Sequence, residues 1–321
     1  RLKENDKLES IGGQGFLADL TRGAAATNVE YKCEIIREKS LARQLQRVGQ
    51  DLTELSSSTD VYDRIDQIQE QLFSMTTVDA GVKSMADVAG NVLNEIEKAQ
   101  QAGKIQAIET GLEIDKVIGG FEDSKFYVIA ARPSMGKTAF ALSVMRNMVR
   151  SGKESAIISL ETSAKSLGFR LLSEATGMST AKLKSGSLTE SESQRIVDKI
   201  GEVHDLGIYI DDGLNTSAQQ LRAKIRMLKQ KYGVNAVFID FLQLLTGNGN
   251  TREQEVAEIS RACKVACKES DIPVIALSQL NRGVENRNNK RPQLSDLRES
   301  GAIEQDADVV MFLYRPEYYG I

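Results

Sequence analysis

The sequence predicts an α/β fold, a mostly parallel β-sheet covered by helices on both faces, and three observations carry that prediction. From Gly111 onward, short apolar runs at 126–131, 155–160, 207–210, 236–239, 273–277 and 308–313 alternate with stretches of helical periodicity, as in strands joined by crossover helices. The runs are nearly continuously apolar, as strands buried on both faces have to be. The first of them, Phe126-Tyr127-Val128-Ile129-Ala130, passes through Pro133-Ser134-Met135-Gly136 into an Ala-rich helical segment that opens at Lys137-Thr138.

Ahead of this region the pattern is helical. Residues 1–28 are mixed: Gly12, Gly13 and Gly15 interrupt any period, and Phe16, Leu17 and Leu20 form one short apolar helix face. Leu41, Leu45, Val48, Leu52 and Leu55 then recur at spacings of four and three, and after a Ser-rich turn at 56–60 the same rhythm returns in Val61, Ile65, Ile68, Leu72 and Met75. Two antiparallel helices follow from that spacing, a helical hairpin over the region 1–75. Their apolar stripes are narrow, which fits packing on each other and on another chain, with a self-contained subdomain as the alternative. A looser stretch, 76–83, leads to Met85, Val88, Val92 and Ile96, an amphipathic linker helix that ends near Ala102-Gly103. The expected organisation is therefore a helical part at 1–75, a linker at 76–110 and the α/β domain at 111–321.

Bulk composition excludes several classes. With 321 residues, 41% of them hydrophobic, the chain can bury a large core, and no apolar run approaches the ~20 residues of a membrane span. No signal peptide is visible, and Cys33, Cys263 and Cys267 offer no disulfide framework, so a reducing, cytoplasmic setting is expected. Cys263 and Cys267 lie four apart on an expected helix, where core packing is the preferred reading and a metal pair the alternative. The one histidine, His204, rules out a histidine triad by count and is expected as a solvated turn residue before a strand. A net charge of −4 means that any nucleic-acid contact must come from local loops or from a ring of subunits pooling charge. The chain opens on Arg1, so residues are expected to precede it.

The motifs sit where the polar ends of the strands fall. In a strand–loop–helix unit, successive backbone N–H groups and the positive helix end can wrap the phosphates of a nucleotide, Lys137 adds a charge, and the Thr138 hydroxyl is a magnesium ligand. Gly136 keeps side-chain bulk from the phosphates, and Ala131 stands where glycine usually opens this motif, so Ala131 must leave its strand with negative φ. Glu161 follows the second strand in Ser159-Leu160-Glu161, placed to orient or deprotonate an attacking water, an acidic helix cap being the alternative. Ala236-Val237-Phe238-Ile239-Asp240 is an apolar strand ending in an acid that would hold Mg²⁺ with Thr138. The fifth strand ends in Ser278-Gln279-Leu280-Asn281-Arg282, from which Gln279 can touch the γ-phosphate and report hydrolysis to the loop beyond. That loop, 282–291, carries Arg282, Arg287, Lys290 and Arg291 against one acid, Glu285, as binding to a phosphate backbone requires. It has no aromatic residue for base stacking, and a solvated charge run is the alternative.

Taken together, ARPSMGKTAFAL at 131–142, SLE at 159–161, VFIDFLQLL at 237–245, PVIALSQLNR at 273–282 and SDLRESGAIEQDADVVMFLYR at 295–315 resemble the core of the DnaB-type hexameric replicative helicases. VEYKCEIIREKS at 29–40 with the helices after it resembles the end of that family's amino-terminal collar, and 85–102 resembles its linker helix. The resemblance implies a RecA-like P-loop NTPase domain, preceded by a collar remnant and linker helix. It implies hydrolysis of ATP with Mg²⁺ in a homohexameric ring moving 5′ to 3′ on single-stranded DNA, with a primase and a helicase loader as partners. Carried over residue by residue, Arg132, Pro133, Ser134, Met135, Gly136, Lys137, Thr138 and Ala139 would form the phosphate loop, Thr138 and Asp240 hold the metal, and Glu161 serve as base. Arg170 would approach the nucleotide and Gln279 act as sensor. Arg298, Glu299 and Gly301 would meet the DNA backbone, leaving Arg282 and Arg287 in a secondary role.

Two departures stand out. Ile321 comes before the K-x-R finger that the family inserts into a neighbouring subunit's site, and most of the collar is missing. Rival readings are a RecA-like recombinase and a scaffold that binds ATP without hydrolysing it.

Overall fold

The computed structural model describes residues 39–40, 42–44, 46–50, 68, 84–102, 107–213, 216–247, 249, 251–287 and 289–320. The chain divides into two compact units, 1–91 and 92–321. In the first, the described residues 46–50 are helical, and Val48 and Ile68, both on the expected apolar stripes, are buried. The other apolar positions of the expected hairpin lie outside the described residues, as do the expected short apolar face of Phe16, Leu17 and Leu20 and Cys33. The expected linker helix is present as α1, Met85–Ala102, and it runs through the boundary between the units.

The second unit is built on six parallel strands in the order β3-β2-β4-β5-β1-β6. They are β1 Phe126–Ala131, β2 Ser155–Ser159, β3 Ile208–Asp211, β4 Ala236–Asp240, β5 Val274–Gln279 and β6 Val309–Phe312. Alternation along each strand divides the core in two. Phe126, Val128, Ile158, Val237, Ile239 and Val274 face the helices at Ala218–Tyr232 and Arg252–Ser270. Tyr127, Ile129, Ile157, Phe238, Ile275 and Leu277 face those at Lys137–Arg150 (α3) and Ala164–Thr176 (α4), the short helix α2 being Asp115–Ile118. Phe121, Tyr127 and Phe238 are fully or almost fully buried, with Phe121 edge-on to Tyr127 at 4.8 Å between centroids. Each such side chain stabilises the fold by about 1.5–3 kcal/mol relative to an exposed one.

All six strands fall where the apolar runs lie, with shifts at their ends that follow from hydrogen bonding. Leu160 lies just beyond β2, and its N–H donates to the Asp240 carbonyl at 2.8 Å, the last ladder bond between β2 and β4. Asp240 joins β4 by pairing with Ser159, and β5 gains Ser278 and Gln279 by pairing with Ala130 and Ala131. Gly207 stays outside β3, and its carbonyl accepts the Ser155 N–H at 2.9 Å. Pro273 and Asp308 likewise lie just before their strands, and Leu313 just after β6.

Two smaller expectations are also resolved. Cys263 and Cys267 are fully buried against the sheet, and burial pushes both thiols above their ordinary range, so core packing holds and neither offers a thiolate. His204 is the last residue of the helix Glu190–His204 instead of sitting in the turn, because helical hydrogen bonding continues through the Asp205 N–H, which donates to the Gly201 carbonyl at 3.0 Å, and the chain turns only there. Its side chain is exposed as expected. Among the described residues, no helix is long and apolar enough to cross a membrane.

Candidate nucleotide site

The carboxyl edge of the parallel sheet is where backbone N–H groups and side chains become free to meet a ligand, and the candidate residues gather there. β1 ends at Ala131, the loop 132–136 turns the chain, and α3 starts at Lys137. Ala131 is absent from the residues with positive φ, as its side chain requires; the left-handed positions are Ser134, φ 65°, and Gly136, φ 96°. A Cβ on Gly136 would meet no atom of the chain within 4 Å, so within the chain itself glycine is required by its φ and not by crowding. Pro133, Ser134, Gly136 and Ala139 are exposed or partly exposed around the loop, while Met135 is buried beneath it.

The register then brings distant residues together. Strand β5 lies between β1 and β4, so the loop and the acid come from strands that do not touch. Thr138, in the first turn of α3, spans that gap: its Oγ1 donates to Asp240 Oδ2 at 2.8 Å. Lys137 Nζ donates to the Ala131 carbonyl at 3.2 Å. Desolvation lowers the Lys137 pKa, and the nearby charges of Asp240 and Glu161 work against that shift. Asp240 is 1% exposed, and desolvation raises its pKa, aided by Glu161 and opposed by the Thr138 hydrogen bond, Lys137 and Arg170. Glu161 and Arg170 are therefore within electrostatic reach of the same carboxylate, although both are solvent-exposed.

Glu161 sits in the turn between β2 and α4, and the cap of that helix is Ser163, whose side chain accepts from the Ser166 N–H. The helix-cap alternative for Glu161 is thereby removed. Gln279 is exposed at the end of β5. Sequence reasoning missed Gln243: its amide nitrogen donates to Ser278 Oγ at 2.9 Å and its oxygen accepts from the Gln279 N–H at 3.2 Å, fixing the end of β5. Only the glutamine in the 237–245 motif signalled it, and no spacing rule links that position to β5.

The site fits a hard divalent cation. Asp240 Oδ1 is a buried oxygen with no hydrogen-bond partner, beside the Thr138 hydroxyl, and oxygen ligands of this kind suit Mg²⁺. A prediction follows from the sign of the Asp240 shift. Because its pKa is raised in the folded state, this carboxyl favours folding below the ordinary carboxylate pKa of about 3.9 and opposes it as the pH rises through the raised value. Asp240→Asn is thus expected to show a Tm no lower than the unsubstituted protein at neutral pH without Mg²⁺, and to lose the added stabilisation by Mg²⁺-nucleotide. Thermal unfolding with and without both ligands checks this, and a lower Tm in their absence contradicts it.

The residues assigned to nucleic acid come after β5, and Arg282 borders the same cavity as Arg132 and Gln279. Arg282 is exposed in the 3₁₀ turn Arg282–Asn286, and Arg287 follows it, bonded to Gln293 Oε1 at 2.7 Å and paired with Asp296. Arg298 and Glu299 lie in the 3₁₀ segment Leu294–Ser300, and Gly301, exposed, opens the next helix.

Comparison with known proteins agrees with this arrangement. Residues 107–320 match the family model described as DnaB-like helicase C terminal domain. The chain is 40% identical over 334 residues to the replicative DNA helicase DnaC of Bacillus subtilis (strain 168), spanning 99% of this chain and 72% of that protein. It is 41% identical, with the same coverage, to the replicative DNA helicase DnaB of Geobacillus stearothermophilus. Among solved structures, an isolated ATPase domain superposes with a TM-score of 0.70 at 39% identity, covering 74% of this chain and 86% of that one. A DnaB-like replicative helicase, solved with a view to its interactions with primase, superposes with a TM-score of 0.68 at 34% identity, covering 99% and 77%. With two thirds of its length matched by one domain model and nearly all of it by relatives at 40% identity, the chain belongs to the DnaB-like helicase family.

Proposed function

We propose that this chain is the ATP-hydrolysing motor subunit of a replicative DNA helicase, working with Mg²⁺ in a homohexameric ring that moves 5′ to 3′ along single-stranded DNA. The observation that carries the reading is the gathering of Lys137, Thr138, Asp240 and Glu161 at one edge of one sheet, on a chain whose relatives are replicative helicases.

In this reading the loop 132–136 and the start of α3 hold the triphosphate through backbone N–H groups, and Lys137 exchanges the Ala131 carbonyl for phosphate oxygens. Asp240 and Thr138 hold the cation, which when bound neutralises phosphate charge. Glu161 takes a proton from the attacking water. Gln279, its backbone fixed by Gln243, meets the γ-phosphate and passes its loss to the residues beyond β5. Arg298, Glu299 and Gly301, with Arg282 and Arg287 nearby, hold the DNA backbone. A primase and a loader are the expected partners, primase being the partner in one similar structure, and the bacterial cytoplasm the expected place.

Turnover of ATP by the full-length protein with and without single-stranded DNA, run beside a strand-displacement assay, tests the reading. DNA-stimulated turnover with unwinding supports it. Strand exchange without unwinding would favour the recombinase, and absence of turnover the scaffold. Arg298→Ala is expected to weaken single-stranded DNA binding and to reduce the slope of log affinity against log salt by about 0.7, one released phosphate contact. A titration series from low to high salt measures this; an unaltered slope takes Arg298 out of the DNA path.

A further inference from the structure

One side chain links the phosphate loop to the basic loop after β5. Arg132, the first residue beyond β1, is 8% exposed. Its Nε donates to Glu285 Oε1 and its Nη1 to the Leu280 carbonyl, both at 2.8 Å. A guanidinium withdrawn from water needs a fixed counter-charge, and a fork of donors holds its partners in one geometry. Glu285 is the one acid between Arg282 and Arg291, so this basic segment spends its single carboxylate on the phosphate loop.

The backbone repeats the link. The Leu280 N–H donates to the Ala131 carbonyl at 3.1 Å, and that same oxygen accepts Lys137 Nζ at 3.2 Å. An incoming triphosphate that draws the ammonium away therefore leaves the Ala131 carbonyl bonded to the Leu280 N–H at the exit of β5.

Beyond Glu285 the polar contacts continue toward the segment Leu294–Ser300. The Asn281 N–H donates to the Asp296 carbonyl at 3.1 Å, and Arg287 pairs with the Asp296 carboxylate and with Gln293. Arg287 Nε is buried without a hydrogen-bond partner, so this arrangement keeps a spare donor for a second pairing. A cavity of about 400 Å³ bordered by Arg132, Gln279, Asn281 and Asp296 gives these groups room to change places. Tyr314 and Tyr319 hold the far end of the loop, through a hydrogen bond to the Asn289 carbonyl at 3.2 Å and a ring 5.2 Å from Lys290 Nζ.

We infer that Arg132 and Glu285 are a positioning pair through which filling of the phosphate loop changes the grip of loop 282–291 and of the segment Leu294–Ser300 on single-stranded DNA. The inference rests on the helicase reading for the ligand of those two segments, and on the contacts above for the coupling. It differs from the sensing role of Gln279: Gln279 would meet the phosphate itself, whereas the pair moves with the loop that encloses it.

The test uses the full-length protein and Glu285→Gln, a substitution at a half-exposed side chain that leaves the core intact. The affinity for a fluorescent oligo-dT is measured with ADP and with a non-hydrolysable ATP analogue, and the affinity for each nucleotide with and without oligo-dT. The ratio of the two DNA affinities is expected to fall at least about fivefold in the variant, and the ratio of nucleotide affinities by the same factor, because coupling between binding sites is reciprocal. Glu285→Asp, which keeps the charge, is expected to retain more of the coupling than Glu285→Gln. A role confined to holding the loop folded would shift both DNA affinities together and leave their ratio unchanged. An unchanged ratio in Glu285→Gln overturns the inference. Failure of the unsubstituted protein to bind oligo-dT with either nucleotide would instead remove the helicase reading, and the inference with it.

Discussion

Glu161→Gln in the full-length protein is expected to bind ATP and hydrolyse it about 10²–10⁴-fold more slowly, the usual contribution of a positioned general base. The geometry favours this role over a structural one. Glu161 does not cap α4, which Ser163 does, and it is exposed at the sheet edge, so its replacement costs no buried contact. What it shares is electrostatic reach to Lys137 and Asp240, across the point where the Leu160 N–H binds the Asp240 carbonyl. Glutamine preserves shape and hydrogen bonding but accepts no proton at neutral pH. Single-turnover hydrolysis beside equilibrium nucleotide binding separates the two effects, and turnover at the normal rate would place the base elsewhere.

Lys137→Ala is expected to fail earlier, at binding. A charged hydrogen bond is worth about 1.5–3 kcal/mol, so its loss should weaken ATP binding by roughly ten- to a hundredfold, with turnover falling further because charge on the transferring phosphoryl group goes uncompensated. The stability of the empty protein supplies a control. Lys137 is partly desolvated, which lowers its pKa, and its hydrogen bond is to one backbone carbonyl. Because its folded pKa is lowered, this ammonium costs the folded state stability below that value, and the cost fades as the pH rises toward the ordinary lysine pKa of about 10.4. Removing the amine should therefore leave the Tm without nucleotide unchanged or raised, while reducing the rise in Tm that a given concentration of nucleotide produces. Thermal unfolding with and without nucleotide reads both, and a lower Tm without nucleotide would mean that the lysine serves the fold.

The elements of the α/β unit were legible because their signals are local. A strand buried on both faces must be apolar throughout, and a helix facing a sheet must repeat its apolar residues at three and four, so each announces itself within a few residues. The phosphate loop was legible for the same reason, since strand, loop and helix are contiguous from Phe126 to Arg150. Glu161 and Asp240 could be read as strand-end acids, and in each case an acidic side chain with no ligand remained open until neighbours were known.

Those neighbours depended on the order β3-β2-β4-β5-β1-β6, which sets β5 between β1, whose exit leads to Lys137, and β4, which ends in Asp240, so that Thr138 reaches across a strand to the carboxylate. Nothing in the spacing of these residues specifies which strands lie side by side. The grip of Gln243 on β5 and the pairing of Arg132 with Glu285 were invisible for a related reason. A glutamine in a strand-end motif or an acid in a basic loop has no period, and its partner, 153 positions away in the case of Arg132 and Glu285, is chosen only when the sheet assembles. Sequence by itself determined the class of fold, the phosphate loop and the list of polar groups available; tertiary structure decided which of them meet, because hydrophobic periodicity acts over a few residues whereas charge pairing and hydrogen bonding act between whatever the packed strands bring within about 3 Å.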